Sequence, residues 1–196
     1  MLSLGYPTEN EIEINEKTYV VDMSYDNIIR LFDLLEDTTI DDLNKIFIGM
    51  KMLLDCNVLE EDKNCDMEML VAAFLTIKTE FIIDKGNGEP LVDLQGNPMP
   101  QPKSKELYSL THDADYIYAS FVQAYGIDLI EVQGDLDWRK FNALLQGLPS
   151  DTRFKEVVDI RQRPFATGKG SQKENKNLRD LKNMYALPGH NVEEGE

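Results

Sequence analysis

DLDWRKFNALLQGLPSDTRFKEVVDIR, residues 135–161, decides how the rest of the chain reads. Trp138, Phe141, Leu144 and Leu145 recur at spacings of three and four, which places them on one side of a helix over about 137–146. Asp135 or Asp137 stands where an N-cap belongs, and Gly147 is placed to stop the helix. Pro149 follows just beyond, where a proline is expected. A second helix over about 152–161 carries Phe154, Val157, Val158 and Ile160. Two helices joined by a short turn, each with an apolar side, predict a core built by packing helix on helix.

Upstream, Ala114, Ile117, Tyr118, Phe121 and Tyr125 predict a helix over about 113–125, closed by Gly126 in the left-handed conformation. Three more helices precede it. The first starts after Ser24 with Ile28, Leu31, Phe32 and Leu35. The second starts after Thr39 with Ile40, Leu43, Phe47, Met50 and Leu54, widened by Ile46 and Leu53. The third starts after Asp66 with Met67, Leu70, Val71, Phe74, Ile77 and Phe81 on one stripe, while Leu75 and Ile82 lie off it. That helix is apolar over much of its circumference, which predicts a central position. EIEI (11–14) alternates charged and apolar residues, a turn at Asn15, Glu16 and Lys17 follows, and TYVV (18–21) completes a β-hairpin that must pack on helices to be stable. Downstream, Leu178, Leu181 and Tyr185 mark a last helix over about 173–186. The fold class is mainly α: about six to seven helices with a small N-terminal hairpin.

Composition shifts divide this plan. Residues 1–83 form the hairpin and three-helix part. Residues 84–105, with three Gly and four Pro in 22 positions, cannot sustain a helix and read as an exposed loop or linker. Residues 106–162 form a C-terminal helical part, and 163–196 hold a linker, the last helix and a polar tail.

The 196 residues carry a net charge of −16. Such a chain is repelled by nucleic acid and by anionic membranes, so neither is an expected partner. No apolar run reaches the roughly 18 residues of a membrane span, and the N-terminus lacks the basic and apolar regions of a signal peptide. Cys56 and Cys65 are too few for a disulfide framework and point to a reducing compartment. The charge is uneven: residues 1–100 hold 21 acids and 7 bases, whereas 152–182 hold 9 bases and 4 acids. A basic tail on an acidic body allows tail-to-body docking or head-to-tail self-association, or has no role at all.

Catalytic chemistry has little to stand on. His190 lies in the tail, and His112 precedes Asp113 and Asp115 at a helix start, where the acids are expected to cap the helix and complement its dipole. Structural zinc wants four Cys or His ligands, and no such spacing occurs. GNGEP (86–90) lacks the third glycine of a dinucleotide fingerprint. TGKGS (167–171) has Arg163 and Gly170 where a phosphate loop needs glycine and serine or threonine. EEDKNCD (60–66) is acidic but has no turn glycine for a calcium loop. No enzyme, no cofactor and no metal are expected. Trp138 reads as core, and Met50, Met52, Met67 and Met69 as core filling or an adaptable binding surface.

Two stretches, LTHDADYIYASFVQAYGIDLIEVQ (110–133) and residues 135–161, together resemble the bacteriophage gene product fifteen family. The resemblance rests on Ile117 to Phe121, Tyr125 to Leu129, Trp138 to Leu145, Leu148-Pro149, Asp151 to Phe154 and Ile160-Arg161. Leu136 and Asp137 stand where the family often has an aromatic residue or histidine before the tryptophan. The resemblance implies a tail assembly chaperone. Such a protein binds the phage tape measure protein and keeps it soluble until tail tube subunits polymerise around it. It acts in the host cytoplasm and is absent from the mature virion. The expected partners are the tape measure protein, the tail tube protein and further copies of the chain. The contact face expected on the last helix is Leu178, Leu181 and Tyr185. A structural tail or head–tail connection component is the alternative, and a small enzyme is the alternative of another class.

Overall fold

A computed structural model describes residues 4–83, 107–168 and 171–189. The loop expected at 84–105 and the polar tail from 190 lie outside the described residues. Among those described, the chain is mainly helical. Strands β1 (Glu11–Ile14) and β2 (Lys17–Val20) are followed by α1 (Tyr25–Glu36), α2 (Asp42–Leu54), α3 (Val58–Glu61) and α4 (Met67–Ile77). A π-helical turn, Lys78–Ile82, extends α4, and α5 (Ala114–Tyr125), α6 (Trp138–Gln146), α7 (Arg153–Gln162) and α8 (Gln172–Met184) complete the order. The helices and hairpin are those the periodicity predicts, with the one-turn α3 added.

The described chain forms two compact units. Residues 4–83 together with 132–144 make the first, and residues 107–131 together with 145–168 and 171–189 make the second. The sequence division at 106–162 keeps 132–144 with the C-terminal part; in the structure that segment packs with the first unit.

In the first unit, β1 and β2 pair antiparallel with Ile14 opposite Lys17. Asn15 and Glu16 take φ of 48° and 64° between them, which matches the twist a two-residue hairpin turn requires. Ile12 and Ile14 are buried while Glu11 and Glu13 are exposed, so the hairpin lays one face on the helices, α4 among them. The segment 132–144 enters through backbone bonds. The Tyr25 amide donates to the Leu136 carbonyl at 2.9 Å, and the Trp138 amide to the Met23 carbonyl at 2.7 Å. Its side chains then fill the core. Phe141 stacks on Tyr25 with ring centroids 4.8 Å apart, and Phe32 meets Trp138 edge-on at 5.5 Å. Trp138 Nε1–H donates to the Ile82 carbonyl at 3.1 Å, so its one polar atom is satisfied on burial.

α2 buries Met50, Leu53 and Leu54 of the side its large apolar residues mark, but it is rotated so that Lys45 and Gly49 also face inward and Leu43 faces out. Gly49 explains the rotation. A Cβ there would lie 2.8 Å from Leu31 Cδ1 and 3.3 Å from a Phe74 ring carbon, so its missing side chain lets α1 and α4 approach α2. Lys45 lies along this interface, and its Nζ donates to the Leu35 carbonyl at 2.7 Å, near the C-terminus of α1 where a cation is favoured.

In the second unit, α5 packs against α7, and Ile117, Phe121, Phe154, Val157 and Ile160 are buried. Gly126 ends α5 with φ of 65°, as its position predicts. Ser120 Oγ links the two helices: it donates to the Tyr116 carbonyl at 2.6 Å and accepts from the Phe154 amide at 3.0 Å.

Candidate partner-binding surfaces

The surface whose composition calls for an explanation is the outer side of α4. Residues 69–77, MLVAAFLTI, contain no charged side chain, in a chain where 29% of residues are charged. Asp66 starts the helix by accepting the Met69 amide at 2.9 Å. Leu70, Ala73, Phe74 and Ile77 are buried, so one side of the helix is accounted for. On the other side Met69 is 41% exposed and Leu75 53% exposed, with Ala72, Thr76 and Thr79 exposed beside them. These positions are three and four residues apart and share one face. Thr76 and Thr79 add little polarity to it. Their hydroxyls donate back to the Ala72 and Leu75 carbonyls, each at 3.0 Å, and are used within the helix. The same unit carries 20 acidic and 8 basic side chains among its described residues, a net charge of −12. Glu68 in the first turn of the helix and Glu80 just past its end are exposed four residues from Ala72 and Thr76, so a short apolar stretch is flanked by acids on its own side and belongs to a strongly acidic unit. The sequence left Leu75 off the predicted core stripe, which was the available signal.

The contact face expected on α8 is divided by the structure. Leu178 is buried at 9% exposure and docks on its own unit. Tyr185, just past the helix, is half-buried and engaged there too. Its ring meets Tyr116 edge-on at 6.2 Å, its hydroxyl accepts from Arg153, and its carbonyl accepts from Arg161 Nε at 2.6 Å. Leu181 is left at 37% exposed, and Met184, which the sequence reading passed over, is 71% exposed. Lys173, Lys176 and Arg179 are exposed on the same helix.

Asp113 also has a role other than the one expected. It stands at the start of α5 but makes no side-chain cap; its carboxylate takes both Nη atoms of Arg161, at 2.6 and 2.7 Å, and the Ser109 amide at 3.0 Å. His112 is exposed beside it, and its amide donates to Ser109 Oγ. Cys56 and Cys65 are free thiols, and burial raises the pKa of both, which makes them poor nucleophiles. Among the described residues no group of three or more His, Cys, Asp or Glu is placed to hold a metal ion, and no helix is long and apolar enough to cross a membrane.

Most of the large apolar residues that carry the family resemblance are interior ones. Ile117, Phe121, Leu129, Trp138, Phe141, Leu145, Leu148, Phe154 and Ile160 are all buried, so the motif records how both cores pack. The family model for the bacteriophage Gp15 protein matches residues 8–187. The chain belongs to that family. It is accordingly a bacteriophage protein of the structural or morphogenetic kind. No curated protein and no solved structure matches it. In this Gp15-family chain the motif and the exposed α4 face are separate sets of residues: one makes the fold, and the other is what the fold displays.

Proposed function

We propose that this Gp15-family chain is a phage tail assembly chaperone that holds the tape measure protein soluble before the tail tube polymerises around it. The observation that carries the proposal is the exposed apolar stretch Met69, Ala72 and Leu75 on the outer side of α4, flanked by Glu68 and Glu80. A contiguous apolar stretch on a surface is a candidate docking site, and one of helical width suits an amphipathic helix laid along it. The net charge of −12 around it selects the occupant's chemistry: an apolar stripe flanked by Lys or Arg is attracted, and an acidic helix is repelled. A long helical client coated by an acidic protein gains solubility from the coat's charge. The work would be done in the host cytoplasm, with the chaperone left behind when the virion is complete.

Co-expression with the tape measure protein of the same phage tests this. The soluble yield of the client should rise with this chain, and fall back with a chain carrying Met69→Glu and Leu75→Glu. Mass spectrometry of purified virions separates the proposal from a structural tail component: the chaperone should be absent from particles, and fixed copy number would make it a structural part.

A further inference from the structure

We infer that, in the absence of client, α8 of one copy docks on the α4 face of a second copy, joining chains head to tail. The inference rests on the α4 face being the docking surface proposed above. α8 has the chemistry that face selects. Lys173, Lys176, Asp180 and Met184 follow one another at three- and four-residue spacing on its exposed side, Leu181 is partly exposed next to Leu178, which anchors the helix to its own unit, and the bases of α8 (Lys173, Lys176, Arg179 and Lys182) outnumber its acids (Glu174 and Asp180). The segment 152–182 carries 9 basic and 4 acidic residues, against the net −12 of the unit that presents α4. Pairing α4 with α4 would instead bring two such acidic units together, a repulsive arrangement. The joint is therefore between unlike surfaces, and a heterologous contact that does not close leaves a free α4 at one end and a free α8 at the other.

Sedimentation equilibrium of the full chain without client tests the inference. The wild type should exceed twice the 22.4 kDa of one chain as concentration rises, and fall toward one chain at high salt. One variant, Met69→Glu with Leu75→Glu, removes the α4 surface; a second, Lys173→Glu with Lys176→Glu and Met184→Glu, removes the α8 surface. All five side chains are exposed, and circular dichroism checks that each variant folds. Each variant alone should stay at one chain, and their equimolar mixture should stop at two. A wild type that remains at 22.4 kDa throughout overturns the inference, as does a mixture that never pairs although the wild type associates. The α8 variant keeps α4 intact and should still raise client solubility. A wild type that solubilises client without self-associating therefore sinks this inference and leaves the chaperone reading standing.

Discussion

Asp113 and Arg161 meet through two parallel bonds, Nη1 to Oδ2 at 2.6 Å and Nη2 to Oδ1 at 2.7 Å, with the Asp113 side chain buried and that of Arg161 nearly so. The guanidinium does more than neutralise the acid. Nη1 also donates to the Leu107 carbonyl at 3.0 Å and Nε to the Tyr185 carbonyl, so one side chain ties the approach to α5 and the end of the α8 region to α7. Lys182 Nζ closes the arrangement from α8 by donating to the Arg161 carbonyl at 2.9 Å.

Removing one partner leaves the other as an unpaired buried charge. Asp113→Ala is expected to destabilise the second unit by about 3–5 kcal/mol, read as a lower denaturant midpoint in far-ultraviolet circular dichroism. Replacing both residues, Asp113→Leu with Arg161→Met, should recover much of the loss. If Asp113→Ala leaves the midpoint unmoved, the pair does not carry the role assigned to it.

Gly49 offers a steric test of the first unit. Gly49→Val pushes methyl groups into Leu31 and Phe74 and should cost about 1–3 kcal/mol. Gly49→Ala should cost less, because alanine recovers up to about 1 kcal/mol of helix propensity against the tighter contact. Trp138 is the chain's single tryptophan and is buried in this unit, so its fluorescence follows the transition.

Asp137 supplies a pH dependence. Burial opposes its charge, but bonds from the Arg139 side chain and backbone outweigh that and hold the carboxyl below its usual range. A depressed folded-state value means the stabilisation is fully present above the unfolded value of about 3.9 and is lost as pH falls through the folded one. Asp137→Asn should therefore cost about 2 kcal/mol at neutral pH. The difference from wild type should shrink below about pH 4. A difference that stays constant down to strongly acid conditions would show that ionisation of Asp137 is not its source.

Much of this architecture was legible because its signals are local. Three- and four-residue spacing located the helices, Gly126 ended α5, Asp66 capped α4, and the alternation in EIEI faced Ile12 and Ile14 inward. What escaped depends on partners distant in sequence. The inward side of α2 follows from how closely α1 and α4 approach Gly49, which no pattern within α2 records. Trp138 was correctly read as core, yet its membership of the first unit depends on backbone bonds from Met23 and Tyr25, more than a hundred residues earlier. Asp113 looked like a cap because its true partner, Arg161, lies 48 positions away. The candidate surface was half visible. Leu181 was singled out and is exposed, while Leu178 and Tyr185 share its spacing but are used by their own unit. Spacing identifies a helix face without saying whether the same chain already covers it.

The apolar stretch on the outer side of α4, flanked by acids, also predicts a salt signature. Glutamate at Leu75 should weaken client capture more than glutamate at the exposed Leu43 of α2, since both add the same charge to the same acidic unit and only one lies on the docking face. Residual wild-type capture should weaken as salt rises, reflecting the charged flanks, yet persist in part through the apolar contact.

The most direct measurement is affinity capture of the tape measure protein on immobilised chain, comparing the wild type with Met69→Glu, Leu75→Glu after circular dichroism has shown both to be folded. The wild type should retain the client, and the double variant should lose at least tenfold, about 1.4 kcal/mol of binding free energy. Equal retention by the two, or retention by neither, would contradict α4 as the client's cradle.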